Sequence, residues 1–97
     1  MKVGYDLQAD ALYVTLDEHA EVSHTVQVDS GTLVDVDSGG NLIGVEVIRP
    51  SRPWPLDEIL SQFSTSDADA HLLRLLERTT GGAGTFTYAE PVQLISA

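Results

Sequence analysis

Val22-Ser23-His24-Thr25-Val26-Gln27-Val28-Asp29 decides the fold of this chain: Val22, His24, Val26 and Val28 alternate with Ser23, Thr25, Gln27 and Asp29. A period of two belongs to a β-strand with one face toward a core. Toward the C-terminus, Ser30-Gly31 turns the chain back into a strand in which Val34 and Val36 alternate with Leu33, Asp35 and Asp37. Ser38-Gly39-Gly40-Asn41 then closes a hairpin, since Gly and Asn tolerate the positive φ of tight connections. Leu42 to Ile48 is the returning strand. Toward the N-terminus, Asp17 to Glu21 is a polar connection, Ala11 to Leu16 and Lys2 to Tyr5 are two further strands, and Asp6 to Asp10 joins them. Asp side chains there can accept hydrogen bonds from backbone N–H groups two residues on.

Five strands so placed have unequal faces. Leu12, Val14, Leu16, Val22, Val26, Val28, Val34, Val36, Ile43, Val45 and Val47 collect on one side, which suits a core. Tyr13, Thr15, Leu33, Asp35, Leu42, Glu46 and Ile48 make a mixed opposite side. Arg49-Pro50-Ser51-Arg52-Pro53-Trp54-Pro55 ends the sheet, because prolines cannot sit in a central strand. Trp54 is expected to anchor this linker on the core. A short helix over 55–63 follows, with Asp57 and Glu58 near its N-terminus and Ile59, Leu60 and Phe63 as its stripe. Ser64-Thr65-Ser66 offers caps for a second helix over 67–79, in which Arg74 and Arg78 suit the last turn. Its buried side is expected to hold Ala68, Leu72, Leu73, Leu75 and Leu76, and Gly81-Gly82 to stop it. From Ala83 to Ala97 the residues allow an edge strand, a docking segment or partial disorder.

Strands followed by helices point to an α+β fold rather than to alternating βαβ units. The expectation is an antiparallel sheet of about five strands, a meander, with two short C-terminal helices packed on one face. Residues 1–50 form the β module, and residues 51–97 form the linker, helices and tail of the same domain. With 97 residues only about two thirds of the unfolded surface becomes buried, so a homodimer through an edge strand or the mixed face is expected.

Composition narrows the function classes. The chain has no Cys, which removes disulfides and thiolate metal sites. No apolar stretch approaches the roughly 20 residues of a membrane span, and residues 1–18 lack the pattern of a signal peptide. A cytoplasmic protein is expected. Five Lys and Arg face 15 Asp and Glu, a formal charge of −10. Residues 1–48 carry nine of those acids and a single base, Lys2. Such a field repels phosphate backbones, so no nucleic-acid partner is expected, and it can steer a basic protein toward the sheet.

Asp6 and Asp10 invite an acid–base reading, but that chemistry needs one carboxyl group held neutral by burial or a neighbour. A water-exposed turn supplies neither, and turn capping is the better account. Asp35-Val36-Asp37-Ser38-Gly39-Gly40-Asn41 has the flavour of a calcium loop. Glu46, six residues past Gly40, falls well inside a strand rather than completing it. His19, His24 and His71 share no spacing that presents two imidazoles together. His24 lies on the apolar side of its strand, where a satisfied core or interface histidine is the default. No Gly-x-Ser-x-Gly, Gly-x-Gly-x-x-Gly or Walker pattern occurs, and no catalytic residue or cofactor is assigned.

Two segments together carry a resemblance. Tyr5-Asp6-x-x-Ala9-Asp10-Ala11-Leu12-Tyr13-Val14-x-Leu16 and Leu33-Val34-Asp35-Val36-Asp37-x-x-Gly40-x-Leu42-Ile43-Gly44-Val45-Glu46-Val47-Ile48 resemble the bacterial domain-of-unknown-function family 2283. Its members carry YDxxADALYxxL followed by DxDxxGxxxGxEI. The motif positions are Tyr5, Asp6, Ala9, Asp10, Leu12, Tyr13, Asp35, Asp37, Gly40, Gly44 and Glu46. The resemblance implies a compact antiparallel sheet module and brings no activity, substrate or cofactor. Similar proteins are often encoded beside small toxins, which implies an antitoxin-like partner role for some. The expected function is therefore non-enzymatic, a protein–protein interaction module for a small basic partner. The alternative is a small-molecule or metal-ion binding domain using Asp35, Asp37 and His24.

Overall fold

The computed structural model describes residues 1–80 and 93–95. The elements are β1 (Lys2–Asp6), β2 (Ala11–Thr15), β3 (His24–Asp29), β4 (Thr32–Val36), β5 (Leu42–Ile48), α1 (Leu56–Gln62), α2 (Asp67–Thr80) and β6 (Gln93–Ile95). Five antiparallel strands precede two helices, the α+β arrangement that the alternation predicts. The sixth strand falls in the tail and pairs with β1, Lys2 opposite Ile95 and Gly4 opposite Gln93. Gly81-Gly82, the expected helix stop, and the rest of the expected docking segment from Phe86 lie outside the described residues.

Neighbouring strands run β3-β4-β5-β2-β1-β6, all antiparallel. Three consecutive strands form a meander, and the first hairpin adds to it with β2 beside β5. The link from β2 to β3 must therefore travel about 14 Å, three strand spacings. That distance explains why residues 16–23 form a long connection instead of a tight turn.

The core lies between one sheet face and the helices. Val3, Leu12, Val14, Val34, Val36, Leu42, Val45 and Val47 pack with Trp54, Leu56, Ile59 and Leu73. Cross-strand rows explain the membership: Val3 faces Val14, Val14 faces Val45, and Val45 faces Val34. Fully burying one such side chain contributes about 1.5–3 kcal/mol. Trp54 fastens the linker as expected: its ring N–H donates to the Pro50 carbonyl at 3.0 Å and its backbone N–H to Glu77 at 3.0 Å. Ser66 caps α2, its hydroxyl accepting the Asp69 N–H at 3.1 Å.

Several side-chain assignments from the sequence are corrected. Asp35 faces Gly44 while Val36 faces Leu42, so Ile43 is an extra residue in β5. A bulge of this kind breaks strict alternation: Leu42 joins the core although alternation sets it on the mixed side, and Ile43 is buried as expected. Val22 precedes β3 and is 50% exposed. His24 shares the register of the core side, opposite Val36, yet is exposed, because β3 is an outer strand that the helices do not roof. In α2, Leu73 is completely buried and Leu76 partly, while Ala68, Leu72 and Leu75 face outward. The helix presents a narrower stripe than its leucine content suggests. In α1, Leu56 joins Ile59 as a buried residue.

Candidate functional site

The sheet face turned away from the helices carries a groove. Three strands supply its floor in two cross-strand rows. Tyr13 of β2 faces Glu46 of β5, which faces Leu33 of β4; Thr15 faces Gly44, which faces Asp35. The β2–β3 link supplies the wall through Asp17, Glu18, Ala20 and Val22, and the space enclosed is about 470 Å³. Gly44 keeps the floor low, since a Cβ there would lie 3.3 Å from an Asp35 carboxyl oxygen and 3.4 Å from the Val14 carbonyl.

Electrostatically the groove is one-sided. Asp17, Glu18, Asp35 and Glu46 line it, and among the described residues no Lys or Arg does. Tyr13, 43% exposed, offers the face or edge of a ring. Its hydroxyl is raised above the ordinary tyrosine pKa by the Glu46 carboxylate first, then by burial and by Asp6. The cause is the negative potential that a cationic ligand would relieve. One Asp35 carboxyl oxygen is already engaged by the Thr25 hydroxyl at 2.7 Å.

The motif residues fall into distinct roles. Asp6 accepts the Gln8 and Ala9 N–H groups at 3.0 and 3.2 Å, and the Tyr5 hydroxyl donates to Asp10 at 2.5 Å. Asp10 has φ 50, and its carbonyl accepts the Arg49 N–H at 2.7 Å, tying the first turn to the end of β5. Leu12 is a core residue. Asp37 accepts the Gly39 and Asn41 N–H groups, both at 2.9 Å, and Gly40 has φ 82. The bonds from Asn41 chiefly, backbone and side chain, hold the Asp37 carboxyl below its ordinary value against the opposing effect of desolvation, with a lesser contribution from the Gly39 N–H. Tyr13, Asp35, Gly44 and Glu46 meet in the groove. The alternative trio of Asp35, Asp37 and His24 does not converge: Asp35 is in the groove, Asp37 is in the turn, and His24 has the register of the other face. Among the described residues no three His, Cys, Asp or Glu side chains form a metal-holding group.

Sequence reading missed Asp17, Glu18, Ala20 and Val22 as groove residues. Only the length of residues 16–23 could have signalled them, by demanding a crossover. Among the described residues no helix is long and apolar enough to cross a membrane.

No curated protein and no solved structure matches the chain. A family model described as a protein of unknown function, DUF2283, matches residues 2–51. That span holds β1 through β5, both Asp-bearing turns and all the groove residues. It covers just over half of the 97 residues, and the chain belongs to the DUF2283 family.

Proposed function

We propose that the protein is a non-enzymatic interaction module whose open sheet face takes a Lys- or Arg-bearing segment of a basic protein. The observation that carries this reading is the groove itself, with four carboxylates, an exposed tyrosine ring and, among the described residues, no lining cation. Carboxylates at a rim steer a cationic partner and select against acidic ones, and a tyrosine face attracts ammonium and guanidinium groups. Leu33 gives the stem of a long basic side chain apolar surface to lie on. The family resemblance implies an antitoxin-like partner role for some members, and the charge of −10 adds that a partner here would be basic.

Calorimetric titration with an oligolysine peptide tests the site. Asp35→Asn combined with Glu46→Gln is expected to weaken binding severalfold, and added salt to weaken it further. Glu58→Gln combined with Asp67→Asn removes the same charge from the helices and is expected to leave affinity nearly unchanged. Equal losses in both pairs would attribute binding to net charge alone and sink the groove reading.

A further inference from the structure

A different surface concerns the chain's relation to itself. Strand β3 ends the sheet, and among the described residues it pairs only with β4. Proteins guard such edges with Lys, Pro or inward-pointing charges, yet Val22 through Val28 contains none of these. The bulge in β3 lies between Gln27 and Asp29, at the turn end, so the pairing from His24 to Gln27 is regular. On the core side Val26 and Val28 pack against the hydrophobic cluster while remaining partly open. Among the described residues the margin of the core is thus left partly open along this strand.

We propose that β3 is a self-association edge, two copies pairing their β3 strands antiparallel about Val26 to make one continuous sheet. Aligned faces require partners of the same parity. Centring on Val26 sets it opposite itself, Thr25 opposite Gln27, and His24 beside the bulged Val28. Every one of these meetings is neutral, and the valines of the two copies extend the core across the axis. The chain carries −10, so association through the groove face would set carboxylate against carboxylate, whereas this edge sets none. A basic partner gains nothing electrostatic from an uncharged strand, which selects a second copy as its occupant. The two-fold axis stands normal to the sheet and leaves both grooves on one side, placed for a partner with two basic segments.

Analytical ultracentrifugation of the purified chain is expected to show a dimer, and Thr25→Lys with Gln27→Lys a folded monomer. The introduced ammonium groups oppose each other across the axis, while within one chain the Thr25→Lys change keeps Asp35 as a neighbour for its new charge. A second measurement does not depend on that variant. The chain has no Cys, so Val26→Cys introduces one thiol, about 5 Å from its symmetry mate at the Cβ. Oxidation is expected to yield covalent dimer much faster from Val26→Cys than from Ser61→Cys on α1. A monomeric wild-type chain, a dimer that survives the lysine pair, or equal cross-linking from the two Cys chains would each overturn the proposal.

Discussion

Tyr5 and Asp10 show how a residue suspected of chemistry acts in structure. Their contact closes the first turn, whose Asp10 backbone is left-handed and whose carbonyl holds Arg49. Removing the hydroxyl in Tyr5→Phe leaves a partly buried carboxylate short of a donor, a change that costs about 1–3 kcal/mol; urea denaturation should show a midpoint loss of that size with unchanged slope. Asp29 gives a pH-dependent outcome. Burial acts to raise its carboxyl, but the Gly31 N–H, the Thr32 hydroxyl and Arg52, with Arg52 at 3.3 Å, leave it below its ordinary value. A carboxyl depressed by folding stabilises above its unfolded pKa of about 3.9 and loses that contribution as pH falls through its lower folded value. The Asp29→Asn chain is therefore expected to be less stable than wild type at neutral pH, with the gap closing as pH falls below the unfolded value of about 3.9. A gap that stays constant in chemical denaturation across that range would contradict the assignment.

At the scale of elements, what the sequence displayed was the alternation itself, and what it hid was how alternation fails. Strand β5 was legible to its ends because Leu42–Ile48 lies between a Gly-Asn turn and a proline linker. The Ile43 bulge carries no local signal: it is a property of pairing with β4, and pairing is not written in β5 alone. The groove was half legible for a related reason. Its floor comes from strands whose parity is visible, while its wall comes from a link whose path depends on β2 lying beside β5. Helix α2 makes the same point through its leucines. Leu73→Ala empties a completely buried site and is expected to cost about 2–5 kcal/mol. Leu72→Ala, at a position 37% exposed, is expected to change stability by less than about 1 kcal/mol. Paired thermal melts separate the two, and equal losses would mean that the helix buries a wider stripe.

For the whole molecule, charge and shape divide the surface among three tasks. Helices cover one sheet face and make the core, the open face concentrates carboxylates around Tyr13, and the β3 edge is neutral. In the proposed function the open face, rather than the overall charge of −10, recognises a basic partner. Affinity capture from the native cell, with wild type, Asp35→Asn/Glu46→Gln and Glu58→Gln/Asp67→Asn chains as parallel baits, tests it most directly. One basic protein is expected to be retained in stoichiometric amount by wild type and the helix pair, and lost from the groove pair. Retention of the same protein by the groove pair, or of no protein but the bait itself by wild type, would contradict it.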